Sequence, residues 1–334
     1  MSRVSLLVLA ALPLQLLSAQ QPRNFPQPGP AKEVTITAIP GVIAAGVKWT
    51  EAWHGTQTAD GIVGFEGGIL FAQEQSNQIN RLDKNDKFSV YLTNPHGPGA
   101  IAIGPKGEIF VVERTCTDPG GHMGTKPGDC KEPTDVAVLT PERKVIADSV
   151  DGKGLGRVND LVADRHGNIF FTSGAAFHVS PGGKVTAFGQ DLRTNGIMLS
   201  RNDKILYITN GPGIVEFDLQ PDGTARNERE FGKLEGGGNG DGMEIDAAGR
   251  LYVTTPSGVQ VLGPDGKYLG LIPTPRNAIS VAFSGPGKKT LYVACMGAVG
   301  PDGQNITTPP GVRNVAMTVY KIPMQAQGFK GRVK

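Results

Sequence analysis

One pattern constrains this 334-residue chain more than any other. An apolar strand, a turn built on Gly or Asp, and a second strand of branched and aromatic residues ending in a small polar residue recur along it. The six copies read GIVGFEGGILFAQ, AIAIGPKGEIFVVE, NDLVADRHGNIFFTS, GIMLSRNDKILYITN, GMEIDAAGRLYVTT and SVAFSGPGKKTLYVA. Anchored on the second strand, the equivalent residues are Leu70, Ile109, Ile169, Leu206, Leu251 and Leu291. They recur about every 40 residues, with one gap of roughly 60 after Ile109, and such a period with several short strands per unit is the sign of a propeller. Further strands follow most copies, such as QINRLD, DVAVLTP, FHVSP, GIVEFDL, GVQVLGP and VAMTVYKIP, which gives four strands per unit. A β-sandwich does not require six matching repeats, and no stretch sustains a helical period. The expected fold is all-β: a six-bladed β-propeller over residues 34–326, with four-stranded blades around a central channel. The early strand EVTITAIP is expected to complete the last blade, and residues 327–334 form a C-terminal tail.

The chain opens with an address. Arg3, the apolar run Val4 to Leu17, then Ser18 and Ala19 follow the charged, apolar, small-residue order of a signal peptide, with cleavage expected after Ala19. Pro13 interrupts a run already shorter than the roughly 20 apolar residues that span a bilayer, so no membrane span is expected after cleavage. The mature protein is then exported, periplasmic or secreted. Residues 20–33, with Pro22, Pro26, Pro28 and Pro30, read as an extended linker. A net charge of +2 lacks the basic footprint of a nucleic-acid binder.

Three cysteines suit an exported chain with one disulfide. Cys116 and Cys130 bracket a polar, glycine-rich insertion, and closing about 15 residues contributes roughly 3 kcal/mol in the chain-entropy picture. The same pair could instead hold a metal with His122, but zinc wants a fourth strong ligand. Cys295, in the apolar strand LYVAC, reads as a small buried hydrophobe.

Innermost strands line a propeller's channel, so the residue about ten positions before each anchor marks the channel end of each blade. These are Asp60, Gly99, Asn159, Asn195, Asp241 and Val281. Asp and Asn are common turn residues singly, but Asp60, Asn159, Asn195 and Asp241 in one register suit a hard divalent cation. Calcium, which takes six to eight oxygens, is favoured over Zn2+, Mn2+, Mg2+ or Fe2+. Other candidates fall away. There is no Gly-x-Ser-x-Gly elbow. The glycines Gly236, Gly237, Gly238 and Gly240 precede a strand and not a phosphate-binding helix. His54, His96, His122, His166 and His178 lack metal-ligand spacing, although His178, near a strand start, could face the site. Glu74 and Glu113 follow inner strands and could support the site from behind its ligands or be surface acids, the surface reading being favoured, and the sequon at Asn305 matters only in a glycosylating host.

The runs GRVNDLVAD, TNGIMLS, GDGMEIDAAGRLYVTTPSGVQVLGPDGK and GPGKKTLYVA resemble the gluconolactonase and regucalcin (senescence marker protein) family of six-bladed propellers. The resemblance covers roughly residues 55 to 300. It implies hydrolysis of sugar lactones or related esters at a divalent metal in the channel. By position it implies Asn195, Asp241 and the first-blade acid as metal ligands, Asn159 on metal or substrate, and Arg157 as a substrate-binding arginine. Asp60-Gly61-Ile62 stands where family members carry Glu-Gly-Pro. The expectation is an exported, metal-dependent lactonase in which Asp241 doubles as general base and the partner is a small lactone. The alternative is a non-catalytic, metal-containing propeller that binds a ligand or protein.

Overall fold

The computed structural model describes residues 25–114, 133–189 and 191–331. The expected signal peptide and the Cys116 to Cys130 insertion, with His122, lie outside the described residues. Six four-stranded antiparallel sheets account for nearly all regular structure. Blade 1 is β2 (Asp60–Phe65), β3 (Gly68–Gln73), β4 (Gln78–Leu82) and β5 (Phe88–Leu92). Blade 2 is β6 (Pro98–Ile103), β7 (Ile109–Glu113), β8 (Asp135–Val138) and β9 (Lys144–Ala147), followed by a small hairpin of β10 (Ser149–Val150) and β11 (Lys153–Gly154). Blade 3 is β12 (Leu161–Ala163), β13 (Ile169–Thr172), β14 (Ala176–Val179) and β15 (Val185–Phe188). Blade 4 is β16 (Thr194–Leu199), β17 (Ile205–Asn210), β18 (Gly213–Leu219) and β19 (Ala225–Lys233). Blade 5 is β20 (Met243–Ile245), β21 (Leu251–Thr255), β22 (Gly258–Leu262) and β23 (Tyr268–Pro273). The inner strands touch in sequence around the ring, and β2 returns to the sixth blade's inner strand.

Blade 6 closes the ring and corrects one expectation. Its inner strands are β24 (Ala278–Ser284), β25 (Thr290–Met296) and β26 (Met317–Pro323), and its outer strand is β1 (Thr50–Gly55), from the start of the chain. EVTITAIP is therefore not the closing strand. Its Ile36 and Ile39, with Val42 and Ile43, are buried against Tyr252, Ile272 and Phe283 of blades 5 and 6. Ile39 and Ile43 pair across a tight turn in which Gly41 takes a φ of 69°. The apolar residues of this segment are spent on plugging a gap between two blades, so none remain to form a regular half-buried strand. TEAWHG, more exposed and less apolar, pairs instead, with the Trp53 ring 5.0 Å from Phe71.

The repeat explains the core. Every anchor residue is at least 98% buried, and each faces an inner-strand partner, as in Val63 opposite Leu70 and Ile245 opposite Leu251. Six apolar clusters result, each shared by two neighbouring blades. One such side chain contributes on the order of 1.5–3 kcal/mol by leaving water, so blade-to-blade contacts hold the ring. Cys295 is fully buried among them, and burial pushes its thiol up to about 12.

Candidate functional site

The channel ends of the blades are built by two recurring backbone devices. In blades 1, 2, 4 and 6 the inner strand enters with an irregular step in register, at Asp60 to Val63, Pro98 to Ala100, Thr194 to Ile197 and Ala278 to Ser280. Such bulges re-aim a side chain next to a site. In blades 3 to 5 the entry of the inner strand is held by a buried threonine of the second strand. Asn159 N–H donates to the Thr172 carbonyl (2.7 Å), Asn195 N–H to Thr209 Oγ1 (3.1 Å), and Asp241 N–H to the Thr254 carbonyl (2.9 Å). Two of these hydroxyls also clip the next blade: Thr172 Oγ1 donates to the Asn195 carbonyl, and Thr254 Oγ1 to the Ile279 carbonyl at 2.9 Å.

Glycine follows three of the four oxygen-bearing residues for a physical reason. A Cβ on Gly61 would lie 2.3 Å from Ala100 Cα, one on Gly196 2.0 Å from the Asp241 carbonyl oxygen, and one on Gly242 2.9 Å from the Ile279 carbonyl oxygen. Each donor is therefore pressed against the next blade, and Asn195 and Asp241 are direct neighbours. In blade 6 the step falls at Ile279, so that residue, and not Val281, closes the ring; Val281 pairs with Val293 inside the core. The third blade carries Asp160 where blades 1, 4 and 5 carry glycine, and its carboxylate accepts the Leu161 and Ile197 amides.

Sequence reasoning missed a buried guanidinium in the ring. Arg114, just after β7, crosses the space above Gly99, where a Cβ would sit 2.0 Å from its guanidinium carbon. Its side chain is 4% exposed. Nε donates to the Val158 carbonyl (2.9 Å), Nη1 to Asp60 Oδ2 (3.1 Å), and Nη2 to Asn159 Oδ1 (3.1 Å) and to the Asn159 carbonyl. Burial disfavours the charge, but Asp60 and Glu74 outweigh that and hold the guanidinium's pKa above its usual value. The signal available in the sequence was a glycine in the ring register paired with an arginine one residue past the second strand.

Glu74 and Glu113 are not surface acids. Glu74 is buried between two arginines, 3.7 Å from Arg114 and 3.5 Å from Arg157. Glu113 accepts from Arg143 (2.5 Å) and from the His96 amide (2.7 Å). Both acids terminate second strands at the channel end, where basic side chains of neighbouring segments converge, and alternation along their own strands carries no record of that. Arg157 and Asn159 precede β12 and do not share an extended strand, yet both reach the channel side, Arg157 with 38% of its side chain exposed. His178 lies on a third strand, bonded to Asn168 Oδ1 (2.8 Å) and stacked on Phe170, so it is a core histidine. Gly240 packs against the Thr209 methyl and Leu234, which fixes the approach to Asp241. Among the described residues no three His, Cys, Asp or Glu side chains cluster as metal ligands, so any metal set must include the amides.

Fold and site together define a closed six-bladed propeller with a ring of oxygen donors and one internal guanidinium at the inner-strand entry. The chain belongs to the SMP-30/Gluconolactonase/LRE-like family, whose model matches residues 58–297. It is 27% identical over 300 residues to the gluconolactonase of Zymomonas mobilis, covering 76% of this chain and 78% of that protein. A gluconolactonase structure from Xanthomonas campestris shares the fold with a TM-score of 0.68 and 18% identity, over 91% of this chain and 99% of that one. A calcium-binding regucalcin from Agrobacterium tumefaciens does so with a TM-score of 0.58 and 16% identity, over 80% and 92%.

Proposed function

We propose that this protein opens a sugar lactone or a related ester with water at the channel ring, using a divalent cation held by Asp60, Asn195 and Asp241. The observation that carries the reading is the seating of Asn195 and Asp241 side by side on blades 4 and 5, in a chain whose family includes a gluconolactonase. An oxygen-only donor set suits a hard cation, calcium first, and the glycine after each donor lets the next blade's backbone close against it, which seats Asn195 beside Asp241. Asn159, whose Oδ1 accepts from Arg114, has its amide nitrogen left for substrate. The chemistry such a cation supplies when bound is Lewis-acid polarisation of the carbonyl and acidification of water.

The chain's own residues do the rest. Asp241 accepts a proton from the attacking water as its oxygen bonds to the carbonyl carbon, and returns it to the ring oxygen when the acyl C–O bond breaks. Arg157 offers a planar donor fork to the substrate's hydroxyl oxygens, steadied from behind by Glu74. Arg114 holds Asp60 in place and adds a fixed positive charge beside the developing oxyanion. Export, expected from residues 1–19, belongs to the same proposal.

The test is hydrolysis of a panel of aldonolactones with and without chelator, with metal content measured on wild type and Asp241→Ala. Chelator-sensitive turnover that Asp241→Ala abolishes, together with its metal, is the expected result. Ligand binding without turnover of any lactone by metal-loaded protein would assign the chain to the non-catalytic alternative.

A further inference from the structure

The expected linker is not free where the structure describes it. Residues 25–34 form an arm laid across the loops of blade 6. Lys32 N–H donates to the Pro275 carbonyl (2.8 Å), Asn305 Nδ2 to the Pro28 carbonyl (2.7 Å), and Asn314 Nδ2 to Gln27 Oε1 (3.2 Å). Beneath the arm lies a cleft of about 830 Å3, walled by the arm and by loops of blades 5 and 6. It opens at the same end of the blades as the ring. Its wall residue Asn277 is two positions before Ile279, and Ser257 lies in the turn after the strand that carries Thr254.

The charge in this cleft is one-sided. Lys32, Arg276 and Arg313 line it, and among the described residues no Asp or Glu does. Arg276 is 6% exposed, and its hydrogen-bond partners are neutral: Nη1 donates to the Gly29 carbonyl (2.7 Å) and Asn305 Oδ1 (2.8 Å). Its Nε is buried without a hydrogen-bond partner. A Cβ on Gly297, which has a φ of 93°, would come within 2.7 Å of Arg276 Nη1 and 2.8 Å of Pro28, so the backbone is shaped to admit both. A buried guanidinium ordinarily has a counter-charge. Arg114, the other strongly buried arginine described, has Asp60 and Glu74 beside it.

We propose that the cleft binds a small anionic polyhydroxy compound whose carboxylate supplies the charge missing from Arg276. Arg276 and Arg313 take the carboxylate, Lys32 adds long-range attraction, and Gln27, Ser257 and Asn277 bond hydroxyls. The choice of a sugar acid rests on the proposed function, because opening a lactone yields a hydroxy acid of this type. The site is distinct from the ring, since none of Asp60, Asn159, Asn195 or Asp241 lines it.

Calorimetric titration of the full chain with D-gluconate, inorganic phosphate and D-glucose tests this. Gluconate is expected to bind saturably, more weakly as NaCl is raised, with phosphate weaker and glucose undetected. Losing one charge-assisted contact should weaken gluconate about tenfold in Arg276→Gln and several-fold in Arg313→Ala. Asp241→Ala, which disables the ring, should leave this binding intact, so failure of the lactonase reading and failure of the cleft site are told apart. Affinity unchanged in Arg313→Ala and Arg276→Gln overturns the proposal, as does glucose binding equal to gluconate. Phosphate binding in the absence of gluconate binding overturns the sugar-acid assignment. Should Arg276→Gln not fold, the double variant Lys32→Ala with Arg313→Ala decides by the same criterion.

Discussion

Arg114 Nη1 lies 3.1 Å from Asp60 Oδ2, in a seat that exists because Gly99 has no side chain. The second blade thus contributes a cation where blades 1 and 3 to 5 contribute oxygens, and the same guanidinium ties Asp60 of blade 1 to Asn159 at the entry of blade 3. Removing the guanidinium leaves Asp60 and Glu74 without their shared partner in a buried setting. Arg114→Met is expected to destabilise the fold by about 3–5 kcal/mol, read as a lowered urea midpoint, and to reduce lactone turnover as well. A midpoint equal to wild type would show that the ion pairs contribute nothing.

The Arg157 and Glu74 contacts, both at 3.5 Å, are long enough to yield to a substrate. Arg157→Ala should raise KM for polyhydroxy lactones about tenfold or more, the scale of losing a hydrogen bond from a charged donor, with metal content unchanged. Glu74→Gln should show the same KM change in weaker form. Unchanged kinetics combined with a lowered Tm in Arg157→Ala would mark the pair as structural.

Gly196→Ala tests whether the two donors are mechanically coupled. The added methyl meets the Asp241 carbonyl oxygen at 2.0 Å, a backbone atom that cannot rotate away. Overpacking of this sort costs about 1–3 kcal/mol. Turnover should fall much further than stability, because the shift moves Asn195 and Asp241 relative to each other. Full activity in a folded variant would contradict a shared site.

His178 supplies a pH dependence of stability. Burial holds its imidazole below the usual 6.5, against weaker opposition from Asp164 and Asp222. The unfolded chain therefore binds a proton that the folded one does not, so stability is present above pH 6.5 and is lost as pH falls through the lowered folded value. Tm measured from pH 7.5 to 5 should drop more in wild type than in His178→Gln. Parallel curves would remove His178 from the acid response.

The sequence alone determined the number of blades, the first three strands of each, the six buried anchors and the register of Asp60, Asn159, Asn195 and Asp241. All of these follow from period-two alternation and a repeat of about 40 residues, which are properties of local chain. Tertiary structure alone decided which strand closes the ring, that Ile279 and not Val281 completes it, and that Glu74 and Glu113 are buried. It also decided that Arg114 occupies the place left by Gly99 and that the arm covers Arg276. Each of these depends on which segments meet across a blade boundary, and a side chain's charge partners there come from residues tens to hundreds of positions away. Alternation within a strand says which face a residue takes, and it says nothing about what the neighbouring blade places opposite that face.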